Sequence, residues 1–228
     1  MARRLAFLTL WLGLIGYAFI LAPPDQPDTL SLIQDLSLGN WGDINPIIVS
    51  LFNLMGIWPV LYSALVILDG RSQSFPAWPF AVASFGVGAF ALLPYLALRR
   101  PSQTASAALS WQLKLLESRW LGVLAVAAIV ALVGYGIAGG DLGSNWDKFV
   151  AQWQTSRFIH VMSLDFVLLC LLVPALLGDD MARREASPWF WLTAALPMLG
   201  LALYVSLRPP LEQSAASVAK IGDRSTSQ

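Results

Sequence analysis

Charged side chains are almost absent from six long stretches of this 228-residue chain and crowd into the short segments between them. A water-soluble domain of this size needs a charged exterior, with roughly 25% of its residues Asp, Glu, Lys or Arg. Here those residues are 12%, against 57% apolar. A helix crossing a hydrocarbon core needs about 20 mainly apolar residues. The stretches 5–22, 47–68, 78–98, 121–138, 158–177 and 189–207 meet that requirement. The fold class expected is therefore an all-α integral membrane protein, with about six transmembrane helices and residues 1–211 embedded in the lipid bilayer.

The ends of the stretches carry the expected punctuation. Arg3-Arg4 precedes the first, Arg99-Arg100-Pro101 follows the third and Asp179-Asp180 follows the fifth. Trp11, Trp41, Trp78, Trp120, Trp146, Trp153 and Trp189 sit near proposed ends, as an interfacial aromatic belt requires. The first stretch resembles a secretory signal in having two arginines before an apolar run, but it is long for one, and Pro23 disfavours cleavage after Ala22. It reads as a retained span. Residues 212–228 are rich in Ser and Ala without periodicity and read as a disordered tail.

The halves of the chain, about 1–101 and 119–211 joined by 102–118, resemble each other. Leu14-Ile15-Gly16-Tyr17 is matched by Leu132-Val133-Gly134-Tyr135, and Leu38-Gly39-Asn40-Trp41 by Leu142-Gly143-Ser144-Asn145-Trp146. Asp69-Gly70-Arg71 is matched by Asp180-Met181-Ala182-Arg183, and Leu98-Arg99-Arg100-Pro101 by Leu207-Arg208-Pro209. Three spans per copy is an odd number, so the second copy is expected to enter the membrane upside down, as an inverted 3+3 repeat. Basic residues near the membrane then divide six against six. Only the tail residues Lys220 and Arg224 and the acidic first loop tilt both termini toward the cytoplasm.

Polar residues inside the spans are the candidates for chemistry, because burying them in lipid is costly. Asp165 has no basic residue at its depth and must be protonated or hydrogen-bonded to another helix. Asn53 is its counterpart in span two. Helical rise puts Tyr17 at the depth of Asn53 and Tyr135 at the depth of Asp165, so two pairs are expected, Tyr17–Asn53 and Tyr135–Asp165. They serve as hydrogen-bond glue or as a proton or ion site. His160, the only histidine, is a structural residue or the ligand of one chlorophyll-type pigment. Asp179, Asp180, Arg183 and Arg184 form a self-neutralising solvated loop or a partner-binding epitope.

Other signatures are excluded by context. Gly134-x-Gly136-x-x-Gly139 has the letters of a dinucleotide fingerprint, but no strand precedes it and it ends a span. Glycines there let helices approach closely. One cysteine, Cys170, excludes an intramolecular disulfide, and a zero net charge gives no field for nucleic acid. No metal site, Ser-His-Asp set or phosphate loop is present, so no cofactor and no enzymatic activity are expected.

The segments 156–166 and 178–184, with Phe52-Asn53-Leu54-Met55-Gly56-Ile57-Trp58-Pro59 and Leu92-Leu93-Pro94-Tyr95, resemble a multi-span membrane family of cyanobacteria and plant plastids. Each half is similar to a small bacterial membrane unit of unknown function (the DUF2834 type), although Asn53 stands where that unit carries an acid. The resemblance implies a photosynthetic source and a thylakoid or plasma membrane. It leads to a non-enzymatic accessory or assembly factor whose partner is a photosynthetic membrane complex. The alternative is a small secondary transporter or channel with Asp165 as its proton or ion site.

Overall fold

The computed structural model describes residues 1–101, 111–184 and 190–209, which are helices and short connections with no strand among them. The disordered tail expected at 212–228 lies outside the described residues, as does most of the 102–118 linker. The helices are α1 (Ala2–Gly16, continued by a π-helical turn Tyr17–Leu21), α2 (Thr29–Leu38), α3 (Pro46–Asp69), α4 (Trp78–Val87) and α5 (Ala89–Leu98). There follow α6 (Trp111–Leu116), α7 (Arg119–Ala138), α8 (Leu142–Thr155), α9 (Arg157–Arg183), α10 (Phe190–Ala195) and α11 (Pro197–Leu207). Among the described residues four helical segments are long and apolar enough to cross a membrane: Ala2–Leu21, Pro46–Ser72, Arg119–Ala138 and Arg157–Arg183. They are the first, second, fourth and fifth of the stretches read from the sequence.

The third and sixth stretches do not form single spans, and the count of six is corrected to four. Residues 78–98 break at Gly88, whose φ of 48° and ψ of −122° are open to glycine and strained for other residues. The chain doubles back there. Phe80 on α4 and Tyr95 on α5 have ring centroids 5.6 Å apart, whereas fifteen residues of continuous helix would separate them by about 22 Å. Gln73, ahead of α4, exchanges hydrogen bonds with the backbone of Arg100, behind α5. In the second half Pro197 sits mid-stretch and disfavours helix at the preceding residue. Leu196 is accordingly non-helical, with φ −123° and ψ 72°. Gly200 on α11 then packs against the Thr193 backbone of α10, a contact that only a reversal allows. Each hairpin arm is ten or eleven residues at most, about 15 Å.

The orientation of the second copy is also corrected. Helices α3 and α9 run parallel along their whole lengths. Ile48 and Val49 pack with Ile159 and Met162 at one end, Tyr62 donates to the Leu169 carbonyl at 2.5 Å in the middle, and Asp69 meets Arg183 at the other end. Because each hairpin returns to the end it left, each half runs the length of the bundle twice, an even number. The halves therefore point the same way, and the expected inversion between them is not found.

The corrected topology re-sorts the charges. Among the described residues one end of the bundle holds Arg3, Arg4, Arg71, Arg99, Arg100, Lys114, Arg119, Arg183, Arg184 and Arg208, and the other holds Lys148 and Arg157. The second end also carries Asp25, Asp28, Asp35, Asp43, Asp141 and Asp147. We call these the basic end and the acidic end. The even division expected from six spans does not survive.

Close packing explains several small residues. Ser118, Asp141 and Asn45 cap α7, α8 and α3 by accepting from the first backbone amides. A Cβ on Gly136 would stand 2.7 Å from the Ser50 hydroxyl, and one on Gly139 2.7 Å from Pro46 Cβ. These two glycines of the fingerprint-like run thus let α7 lie against the start of α3, where Ser50 donates to the Leu132 carbonyl at 2.6 Å. The core between the parallel helices and the hairpins is filled by Trp58, Leu61, Tyr62, Leu93, Leu169, Val173 and Leu201.

The hairpin topology makes a direct prediction. In a Cys170→Ala background, Ser74→Cys and Arg100→Cys label with a membrane-impermeant maleimide from the same side of sealed vesicles. Labelling from opposite sides would restore a crossing span at 78–98.

Candidate functional site

Three groupings of polar side chains stand out, and the first closes the basic end. Asp69, at the last turn of α3, is 1% exposed. Its Oδ2 accepts from Arg99 Nε at 2.9 Å and from the Tyr95 hydroxyl at 2.5 Å, and its Oδ1 accepts from Arg183 at 2.6 Å. In the second half, Asp180 on α9 accepts from Arg184 Nε at 3.0 Å, the Tyr204 hydroxyl at 2.8 Å and Arg208 at 3.3 Å. Each triad has the same parts: an acid at the end of a long helix, and a Tyr-x-x-x-Arg pair on the returning arm of a hairpin. The four-residue spacing puts Tyr and Arg on one helix face. Arg99 also pairs with Asp179, and Glu117 takes a two-oxygen contact from Arg184 (2.7 and 2.8 Å) and one from Arg208 (2.9 Å).

Four arginines thus face four carboxylates; the arginines, Asp69 and Asp180 are buried, and Asp179 and Glu117 are partly exposed. Desolvating so many charges is tolerable only because each is paired and hydrogen-bonded. At Arg184, burial favours loss of the proton, but the bond to Glu117 and the charge of Asp180 outweigh it and hold the pKa above the ordinary arginine value. The expected epitope at Asp179, Asp180, Arg183 and Arg184 is corrected by this geometry. Asp180, Arg183 and Arg184 are buried inside the network, and Asp179 is half-buried against Arg99.

The second grouping surrounds His160, which is 5% exposed at the start of α9. Its Nδ1 lies 2.9 Å from the Trp153 carbonyl, which only accepts, so Nδ1 carries the proton. Nε2 then takes the Tyr17 hydroxyl at 2.7 Å. The imidazole stacks on Trp153, with centroids 4.1 Å apart. Both ring nitrogens are engaged, and no lone pair remains for a chlorophyll-type magnesium. The pigment-ligand role is corrected to a structural one, joining the π-helical turn of α1 to α8 and α9.

The third grouping lies at mid-bundle. Asp165, 4% exposed, accepts the Ala89 amide on Oδ1 at 2.8 Å, at the first residue of α5. Its other oxygen presses on Gly88, where any Cβ would collide with it. A carboxylate from α9 thus caps a helix of the first half at the tip of its hairpin, where the helix dipole favours negative charge. Neither expected tyrosine pair forms. Tyr17 turns to His160, Asn53 donates to Val49 of its own helix at 2.8 Å, and Tyr135 packs on Trp41 with centroids 5.8 Å apart. The depths were compatible, but the hairpin tip covers Asp165 in a way that a straight third span could not.

A cavity of about 540 Å³ opens beside that tip. Phe19, Phe52, Met55, Phe85, Phe90, Phe158, Val161 and Met162 line its walls; Asp165, Ser84 and Gly88 lie at its inner end and Asp25, Thr29 and Arg157 at the acidic end. The tightly packed Trp58–Tyr62 layer lies between it and the ion network.

Asp69, Tyr95, Arg99, Glu117, Tyr204 and Arg208 were not among the site candidates of the sequence. The repeated Tyr-x-x-x-Arg before each Pro-bearing end was a usable signal. No family model, no curated protein and no solved structure matches the chain. The fold and these sites define an all-helical protein with four helices suited to crossing a membrane.

Two substitutions test this geometry in detergent unfolding. Asp69→Ala removes the acid that Arg99 and Arg183 share, leaving Arg99 to Asp179 and Arg183 to Asp180, and should cost about 3 kcal/mol, the lower end of the penalty for breaking a buried pair. A loss below about 1 kcal/mol, the range of an exposed pair, would show the network to be solvated. Gly88→Ala should also lower the melting temperature, and Asp165→Ala in the same chain should restore only part of the loss, since the positive φ persists.

Proposed function

We propose that the chain is a non-enzymatic integral membrane protein of the small-carrier kind, which admits a lipophilic molecule to the cavity from its acidic end. One observation carries this reading: the cavity has Asp25, Thr29 and Arg157 of the acidic end in its lining, while the basic end is closed by eight paired charges. That is the form of a carrier open to one side. The two hairpins read as re-entrant elements reaching about half the depth of the bilayer, and irregular backbone at that depth persists only where protein satisfies it. Asp165 does so for the tip at Gly88. The paired Asp–Tyr–Arg triads support a duplication with both copies pointing the same way, about an axis along the membrane normal.

Orientation follows from charge. Ten basic residues at one end against two at the other support a cytoplasmic location for the basic end, with the N-terminus and Arg208 beside it. The acidic end then faces the opposite compartment. The thylakoid or plasma membrane of a photosynthetic cell is the location that the sequence resemblance supports. An accessory or assembly factor there is the second reading, favoured by the uncovered apolar faces of α1 and α7, where Leu12, Phe19 and Leu124 are more than 60% exposed.

Accessibility separates the two readings. In a Cys170→Ala background, Val161→Cys should react with an impermeant maleimide added at the acidic side. Adding Asp179→Asn, which loosens Arg99, should make Leu93→Cys, below the cavity, reactive from the basic side. A carrier changes its exposed side in this way. If Leu93→Cys stays unreactive whatever the state of the network, the carrier reading fails and the fixed accessory subunit stands.

A further inference from the structure

Among the described residues Arg157 is the one cation that lines the cavity, and no ion pair holds it. Its backbone amide donates to the Pro24 carbonyl at 3.3 Å and its Nε to the Pro23 carbonyl at 3.0 Å. Among the described residues no carboxylate lies within 4.0 Å of its guanidinium. The two carbonyls fix the stem and Nε, and leave the two terminal nitrogens, the fork that recognises carboxylate and phosphate oxygens. Asp25 shares the mouth, but its carboxylate is engaged by the Thr29 hydroxyl at 3.0 Å.

Below Arg157, the face of α9 that lines the cavity is Phe158, Val161 and Met162, ending on Asp165. Eight residues of helix set the two charged positions about 12 Å apart. An apolar channel of that length with one free guanidinium fork at its mouth has the chemistry of a single-chain amphiphile with an anionic head. The chain would lie along the aromatic and methionine wall, and the head would meet the guanidinium at the level where lipid headgroups sit.

We propose that the cavity takes a single-chain anionic lipid, a fatty acid or a lysophospholipid, with Arg157 as the residue that selects the negative head. The proposal rests on the cavity being the binding site argued for above. Its ligand chemistry, an oxyanion on an apolar chain, is common to free carboxylate and to lipid phosphate. Asp25 follows Pro23 and Pro24, whose carbonyls hold Arg157, and adds a negative charge at the mouth, so its removal should tighten binding where removal of Arg157 weakens it.

The test uses the full chain in nanodiscs, with empty discs subtracted, and measures equilibrium binding of radiolabelled dodecanoate, dodecanol and lauroyl lysophosphatidate. Dodecanoate should bind about tenfold or more tighter than dodecanol, the weight of a charge-assisted hydrogen bond. Arg157→Gln should abolish that preference while leaving dodecanol unchanged, and Asp25→Asn should strengthen dodecanoate. Val161→Trp, which fills the cavity, should remove binding of both. Tighter lysophosphatidate than dodecanoate assigns the head to lipid phosphate, and the reverse assigns it to free carboxylate. Equal binding of acid and alcohol would overturn the role of Arg157 and leave the cavity reading standing. Binding of none of the three, or binding that survives Val161→Trp, would overturn the cavity reading itself.

Discussion

The Arg99 guanidinium joins what would otherwise be separate parts. It ends α5, yet it bonds Asp69 of α3, Asp179 of α9 and the Ala175 carbonyl. A hairpin in a membrane has weak reasons to stay put, because lipid is as apolar as its own leucines and association gains little from burial. What holds the returning arm is its charged end. Once Arg99 is desolvated beside Asp69, withdrawing the arm would strip Asp69 of Arg99 and Tyr95 and leave its buried charge to Arg183 alone, which is costlier than the loss of packing. The same logic holds α11 through Arg208, Asp180 and Glu117. Arg183 ties the two halves together by reaching from the second copy to Asp69 of the first.

That anchoring explains why apolar stretches long enough to cross do not cross. Hydropathy measures whether a segment tolerates lipid and says nothing of direction. The second, fourth and fifth stretches contain no backbone reversal and run straight through, with Pro59 and Pro174 accommodated inside α3 and α9. In the third stretch, Gly86-Val87-Gly88 supplies a residue able to take positive φ. In the sixth, Leu196-Pro197 interrupts the helix. The Arg at the far end of each then finds its acid on the side from which the chain started. The break signals were present in the sequence, but Pro94 also sits mid-stretch and stays helical, so a breaker alone does not decide. The deciding term is the long-range ion pair between Asp69 and Arg99, 30 positions apart in the chain.

The legible and illegible parts of the site divide along the same line. Helices long and apolar enough to cross a membrane followed from composition, and the matches of Asp69 with Asp180 and Arg99 with Arg208 pointed to residues that the structure gathers in the ion network. Close approach at Gly136 and Gly139 followed from the absence of any strand around them. The partners of Tyr17, Tyr135 and Asp165 were not legible, because depth fixes height along a helix and leaves rotation about it open. His160 shows the limit most clearly. One histidine near a span end is compatible with a metal ligand until the Trp153 carbonyl and the Tyr17 hydroxyl are seen to take its two nitrogens.

The two copies share their basic ends and differ at their hairpin tips, and that difference accounts for the position of the cavity. The tip at Gly88 meets an acid from the opposite copy, Asp165, which fixes the first amide of α5. Counting back from the matched Asp69 and Asp180, the position equivalent to Asp165 in the first half falls at Leu54, next to Asn53. An apolar residue there cannot cap the tip at Leu196, and that hairpin is held instead by packing, with Gly122 of α7 against the Ser206 and Ala202 backbone of α11. The carboxylate holds the first hairpin by its end alone. The space between that end and the acidic side is therefore left to the aromatic residues of α1, α3 and α9, which wall it without filling it. Five of the residues that line the cavity, Arg157, Phe158, Val161, Met162 and Asp165, come from α9, so the cavity lies between the halves, and a separate pocket at the acidic end is lined by Trp41, Pro46, Tyr135 and Lys148.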